Sequence, residues 1–205
     1  KENKENKENK ENKENKENKE NKENKENKGL KFIYIGGMIP RKNIHVFLDA
    51  FYKFNMNNQL LHRLTVVGDG ELEELTEKYS EARINFIGFI SNPRSIIKKH
   101  DVYISSSKAE GLPLALLESM SEGLTYLISD INPHKEIYTL NESSGIISKN
   151  NVNSFFSALE LINSKDISLM KKNSLLTYKK FLTDEVMASN YYDLYLKELK
   201  NENYN

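Results

Sequence analysis

The sequence predicts an α/β fold: a Rossmann-like, doubly wound parallel sheet preceded by a low-complexity amino-terminal repeat. Two observations carry this prediction. From residue 30 onward, short β-prone runs alternate with helical stretches, the order that a parallel sheet with crossover helices requires. The runs are also often apolar throughout, as in Leu64-Thr65-Val66-Val67, which is the pattern of strands covered on both faces.

The first strand is expected over 31–35, feeding a helix over 44–54. A second strand at 64–67 precedes a helix at 72–80, and a third at 84–87 precedes one at 93–100. The fourth, 102–105, leads through a Ser-rich loop into a helix over 113–121. Pro113 suits that first helical turn, where its missing N–H is no loss. The fifth strand, 125–129, runs into Asp130 and Pro133-His134-Lys135-Glu136, a segment to which no helix is assigned. A sixth strand at 145–147 precedes a helix at 152–162. Helices over 168–182 and 184–200 close the chain; in the last, Met187, Tyr191, Tyr195 and Leu199 recur every four residues with Leu194 beside them, marking an apolar face.

Residues 1–27 are nine tandem copies of Lys-Glu-Asn, followed by Lys28. A three-residue period sets Lys against Lys and Glu against Glu at i,i+3, and its opposite-charge i,i+4 pairs run Lys to Glu, the less favourable orientation. Asn is a poor interior helix former, and nothing in the segment can bury surface to offset chain entropy. The expectation is a solvated, disordered tail over 1–28, read either as a charged spacer or as an expanded insertion without a specific role. A single domain over 29–205 follows.

Composition sets further bounds. Taking the 28 repeat residues from 205 leaves 177, enough for one domain. The chain holds 30 basic and 30 acidic residues, and the repeat is itself nearly balanced, so composition makes no case for nucleic acid or an anionic membrane as partner. The absence of cysteine excludes disulfides and thiolate metal sites and suits a reducing compartment. No apolar run approaches the length of a membrane span, and the amino terminus is unlike a signal peptide. The expected location is cytoplasmic, a peripheral position at the inner face of the membrane included. A start at Lys1 rather than Met fits a piece of a longer product.

In doubly wound sheets, ligands sit in loops beyond the carboxyl ends of the strands. After the first strand come Gly36 and Gly37, then Arg41 and Lys42 just before a helix. Glycines allow a ligand close to the backbone, and the helix dipole favours negative charge, so the segment reads as a diphosphate cradle or as a glycine turn with two solvated cations. Gly68-Asp69-Gly70 resembles the start of a dinucleotide fingerprint, but Glu73 stands where its third glycine would fall; a tight turn with Asp69 as local cap is the other reading. Beyond the fourth strand lie Glu110, Gly111, Leu112, Pro113 and Glu118. On a helical wheel Glu118 falls amid Ser119, Ser121 and Glu122, so it is either a ligand contact or a residue of the wet face.

The joint order of these loops, with Gly88-Phe89-Ile90 after the third strand and Ser129-Asp130 after the fifth, resembles the carboxy-terminal, donor-binding domain of retaining GT-B glycosyltransferases. It is most similar to the group-1 family that carries two glutamates seven residues apart. The resemblance covers about residues 30–195. It implies that Lys42 neutralises the donor diphosphate, with Gly36, Gly37 and Arg41 beside it. Glu110 would contact the donor sugar as a catalytic residue together with Lys42. Gly111, Leu112 and Pro113 would run past sugar and phosphates, Glu118 would hold the ribose hydroxyls, and Gly88, Phe89 and Ile90 would meet the nucleobase. The family usually has Arg where Gly37 stands.

The implied chemistry is transfer of a sugar from a nucleotide diphosphate to a glycan or lipid-linked acceptor, with retention. Its demand is to stabilise charge developing on the leaving diphosphate. No Asp-x-Asp occurs in the sequence, so Lys42, Arg41 and helix amino termini would carry that role, with no metal or other cofactor. The family's amino-terminal acceptor domain is expected outside these residues, and the apolar face with Tyr191, Leu194 and Tyr195 resembles the closing helix that crosses back towards it. The alternatives are a binding-only or inactive fragment, or another GT-B nucleotide-sugar enzyme, such as an epimerase or a glycogen-synthase-like enzyme. Deleting residues 1–28 should shift the melting temperature by no more than about two degrees, the scale of changes that bury nothing; a fall of roughly ten degrees would show the repeat packed on the domain.

Overall fold

The computed structural model describes residues 29–202, with 60 and 71 excepted; the repeat, and with it the expected tail, lies outside the described residues. Six strands, β1 (Lys31–Ile35), β2 (Arg63–Val67), β3 (Ile84–Phe86), β4 (Val102–Ser105), β5 (Thr125–Ser129) and β6 (Gly145–Ser148), form one sheet in the order β3-β2-β1-β4-β5-β6. Every pairing is parallel. The chain builds outward from β1 to β3, then returns to lay β4 on the other side of β1. That reversal opens a crevice at the carboxyl ends of β1 and β4.

Alternation along each strand divides the core into two layers. Phe32 and Tyr34 of β1, Ile104 of β4 and Leu127 of β5 point to one face, where α1 (Ile44–Asn57) and α6 (Val152–Asn163) supply Phe47, Phe51 and Phe155. Ile33, Tyr103, Tyr126 and Ile128 point to the other, covered by Leu116 and Met120 of α4 (Leu114–Ser121) and by α7 (Ile167–Phe181). In α1 the buried residues Ile44, Phe47, Leu48, Phe51 and Phe54 trace one stripe at helical spacing.

The structure departs from the expected elements in a few places. The third helix shrinks to α3 (Arg94–Ile97), after α2 (Leu72–Lys78). An unassigned helix, α5 (Asn132–Leu140), follows β5. Only His134 and Ile137 of that helix are buried, so it has almost no apolar stripe to read. Its one sequence signal is Pro133 in the first turn. The last helix, α8 (Asp184–Glu202), forms as expected, and its apolar residues are open: Met187, Tyr191, Leu194, Tyr195 and Leu199 are all more than half exposed.

Three histidines sit buried and neutral inside the domain. His62, between α1 and β2, accepts a hydrogen bond at Nδ1 from the Leu30 N–H at 3.1 Å and stacks on Phe54 with ring centroids 4.7 Å apart. Its backbone exchanges bonds with Asn55, whose side chain accepts from the His62 N–H at 2.9 Å and donates to the His62 carbonyl at 3.0 Å. Burial pushes the His62 ring down from 6.5 to about 4. It also lowers His100 and His134. Between those limits the unfolded chain takes up a proton that folded His62 refuses, so its contribution to stability is full above about pH 6.5 and fades as pH falls towards 4. Denaturant unfolding at pH 7 and pH 4.5 should differ by roughly 2–3 kcal/mol from His62 alone. His62→Asn, which keeps an acceptor near the Nδ1 position but cannot titrate, should flatten that slope; an unaltered slope would assign the acid sensitivity to other groups.

Candidate functional site

The loops that leave β1 and β4 face each other across the crevice, and Glu110 joins them. Its Oε1 accepts from Lys42 Nζ at 2.7 Å and from Ser107 Oγ at 2.6 Å; its Oε2 accepts from Arg41 Nη1 at 3.1 Å. The same Arg41 nitrogen donates to the Ala109 carbonyl at 2.7 Å. The Glu110 side chain is only 9% exposed and that of Lys42 only 22%, whereas Arg41 reaches into solvent at 49%. Burial alone would raise the Glu110 pKa. The bonds from Lys42, Ser107 and Arg41 outweigh it and hold the carboxyl below its ordinary value. Two cations around one carboxylate leave a net positive charge just before α1, whose amino terminus favours an anion.

Backbone bonds keep these loops at fixed spacing. The Lys108 N–H donates to the Arg41 carbonyl at 2.8 Å, and Ser106 Oγ donates to the carbonyls of Lys42 and Asn43. Tyr34, rising from β1, donates its hydroxyl proton to the Gly37 carbonyl at 2.9 Å. The Gly68 turn belongs to the same assembly. Its N–H donates to the Gly88 carbonyl, while Met38 donates to the Asp69 carbonyl, both at 2.8 Å. Gly68 has φ 144°, and a Cβ there would land on the Gly36 carbonyl. The Gly68-Asp69-Gly70 stretch is thus a close-packed turn bracing the first loop.

Arg41, Lys42 and Glu110 are therefore brought together, with Gly36 and Gly37 behind them. Both cations are ion-paired to Glu110; Lys42 is largely withdrawn from water, whereas Arg41 stays half in solvent. Glu118 stands apart: it is exposed on α4 and pairs with no cation among the described residues. Burial, then Tyr34, Glu110 and Glu118, push the Tyr103 phenol well above its ordinary range, so both glutamates are felt at one buried hydroxyl. Gly111 has open space about it, Leu112 is 61% exposed, and Pro113 is buried at the start of α4. Gly88 adopts φ 73°, Phe89 is 70% exposed, and Ile90 packs partly against the core. Among the described residues no three His, Asp or Glu side chains converge as metal ligands.

Several supporting contacts have no counterpart in the sequence reading, which names Ser129 and His134 without a role and does not name Asn150. Asn150, beyond β6, donates to the carbonyls of Ser106 at 2.8 Å and Ser107 at 3.0 Å, and accepts from Asn43 at 3.0 Å. Ser129 donates to the Ser107 carbonyl at 2.6 Å, and His134 Nδ1 donates to the Ser129 carbonyl at 2.9 Å. The Ser-rich run 105–107 was visible as a loop; nothing in the sequence near Asn150 marked it as a clasp.

The family model described as Glycosyl transferases group 1 matches residues 15–174. Over 152 residues the chain is 34% identical to the Escherichia coli UDP-Gal:alpha-D-GlcNAc-diphosphoundecaprenol alpha-1,3-galactosyltransferase, covering 69% of this chain and 39% of that relative. Over 91 residues it is 31% identical to the Campylobacter jejuni GalNAc-alpha-(1->4)-GalNAc-alpha-(1->3)-diNAcBac-PP-undecaprenol alpha-1,4-N-acetyl-D-galactosaminyltransferase, covering 43% of this chain and 25% of the relative. Among solved structures, the pneumococcal O-GlcNAc transferase GtfA in complex with UDP and GlcNAc superposes with a TM-score of 0.70 at 17% identity, over 83% of this chain and 36% of that one. That likeness is one of fold. The chain spans well under half the length of each of these proteins.

Asn150→Ala should orphan the Ser106 carbonyl, leave the Ser107 carbonyl to Ser129 alone, and lower stability by about 1–3 kcal/mol. Asn150→Asp, which loses the donor but keeps the shape, should cost as much. Denaturant titration reads both, and a loss under about 0.5 kcal/mol in each would show the loops held without this clasp.

Proposed function

The chain belongs to the glycosyl transferases group 1 family, and from that premise we propose that residues 29–205 form the donor-binding half of a metal-independent, retaining sugar transferase. Its substrate would be a nucleotide-diphosphate sugar, and the acceptor a glycan or a lipid-linked saccharide. One observation carries the reading: a cation pair fixed by Glu110 at the strand-order reversal, in front of a helix amino terminus.

In this reading Lys42 and Arg41 neutralise the diphosphate as the sugar departs and negative charge grows on the leaving oxygen. Glu110 has a double part. It holds both cations in place, and its Oε2, which accepts only from Arg41, keeps acceptor capacity for a sugar hydroxyl. Preorganisation matters here because donors already in position need not reorganise as the reaction proceeds. Glu118, exposed on α4 and free of a cation partner among the described residues, is available to accept from the ribose hydroxyls. The open backbone at Gly111 leaves room for the sugar, and the exposed Phe89 ring offers a face near Gly88 for the base. The relatives are much longer than the matched segment, which supports an acceptor half outside these 205 residues. Among the described residues no helix is long and apolar enough to cross a membrane, and the proposed location is cytoplasmic or peripheral at the inner membrane face.

Lys42→Ala should lower affinity for uridine diphosphate sugars, or whichever nucleotide sugar a thermal-shift panel selects, by roughly tenfold to a hundredfold, the loss of one charge-assisted contact. Glu118→Gln should lower it by a smaller factor with unchanged stability, since an amide offers one acceptor oxygen in place of two. Calorimetric titration of parent and variants checks both, and equal affinities throughout would return Lys42 and Glu118 to structural and surface roles.

A further inference from the structure

The opposite edge of the sheet carries a second concentration of positive charge. Lys31 and Arg63, the first residues of β1 and β2, are direct cross-strand partners. Leu64 and Ile84 are partners one position on, and the Leu64 N–H donates to the Arg83 carbonyl at 3.2 Å, so Arg83 flanks Arg63 at the start of β3. Neighbouring strands lie about 4.8 Å apart, and residues in register share a face. Like charges directly opposite destabilise a sheet. Here β1 and β2 both begin with a cation, and Arg83, just before β3, falls in the same rank.

These residues line a cavity of about 480 Å³, to which Lys99 adds a fourth cation from the segment between α3 and β4. Among the described residues no carboxylate lines it. The acid beside it in sequence, Asp101, is committed elsewhere: its Oδ2 accepts from the Lys31 backbone N–H and its Oδ1 from Lys171 Nζ, each at 3.1 Å. His100 forms part of the wall and is fully engaged, with Nδ1 donating to the Ile96 carbonyl and Nε2 accepting from Thr65 Oγ1, both at 2.8 Å. The wall is therefore rigid and neutral, while the rim is cationic. The chain as a whole has a formal net charge of zero, so this is local organisation and not a general excess of base.

We infer that this cavity binds a phosphate-bearing anion, whose charge would relieve the repulsion among Lys31, Arg63 and Lys99. The ligand is either a soluble phosphorylated compound or the headgroup of an anionic phospholipid. The site is independent of the proposed donor crevice. It lies at the starts of strands whose far ends carry that crevice, about 16 Å away along β1 at roughly 3.3 Å per residue.

The test uses the full chain in two arms at fixed ionic strength. In one, inorganic pyrophosphate is titrated and backbone amide shifts are followed by NMR; in the other, sedimentation with phosphatidylglycerol vesicles is compared with phosphatidylcholine vesicles. Saturable shifts at Arg63, Thr65, Asn85 and Lys99 would assign a soluble phosphate ligand. Retention by phosphatidylglycerol alone would assign a headgroup. In the arm that binds, Arg63→Ala with Lys99→Ala should weaken affinity by at least about tenfold. Lys179→Ala with Lys180→Ala, which removes two exposed lysines from α7, should leave it unchanged. The inference is overturned if neither arm binds, if pyrophosphate shifts only the loops after β1 and β4, or if the two double variants lose affinity equally.

Discussion

The reversal of strand order at β1 is the constraint on which the carboxyl end of this domain depends. With β2 on one side and β4 on the other, the loops after β1 and β4 diverge in chain direction yet must share one crevice. Glu110 spans it. A carboxylate so little exposed would be costly if unpaired, and its three donors, Lys42, Ser107 and Arg41, are what make its burial tolerable. The dependence runs both ways, because Lys42 is itself largely withdrawn from water and leans on Glu110. Behind this contact stand the Asn150 clasp and the Ser129–Ser107 bond, which fix the Ser-rich loop from β5 and β6. Four of the six strands therefore contribute to the position of one carboxylate.

That arrangement explains which parts of the fold could be read from sequence. The central strands β1, β4 and β5 are covered on both faces and read as largely apolar runs, and even β3, with Asn85 exposed at the sheet edge, lies within a residue or so of its expected place. Each loop alone admits a bland reading in a chain that is 29% charged, and only their joint order along the sheet makes them legible as chemistry. What could not be read was partnership. Lys42 and Glu110 lie 68 residues apart, and local pattern has no means of joining them; only the resemblance in loop order did so. Helix α5 was missed for a related reason, since two buried residues make no stripe. Asn150 was missed because an Asn in a polar loop is ordinary until its amide is seen to serve two carbonyls.

The two edges of the sheet handle positive charge in contrasting ways. At the carboxyl edge, Lys42 and Arg41 surround a carboxylate that cancels part of their field and fixes their geometry. At the amino edge, Lys31, Arg63 and Lys99 line a cavity to which no acid among the described residues contributes. A formal net charge of zero conceals both. Counting charges along the chain excludes a general electrostatic function, but strand register decides where like charges gather, and register is invisible until the sheet is assembled.

Helices α1 and α8 show the same limit of sequence reading in its sharpest form. Both carry apolar residues at helical spacing, so both have a face by the same argument. In α1 the face is closed: Phe47, Phe51 and Phe54 lie against β1 and α6 and are fully buried. In α8 the face, from Met187 to Leu199, is open. Tyr191 and Tyr195 stack on each other at 6.4 Å, one turn apart on the same helix. Periodicity is set by what a helix must present; burial is set by what the rest of the chain brings to it. The first is a property of twenty consecutive residues and can be read from them. The second belongs to the assembled domain. In α1 the sheet supplies the cover, because β1 pairs in the middle of it and α1 has nowhere else to pack. For α8, which follows the last covering helix after both faces of the sheet are already filled, no strand remains to receive it.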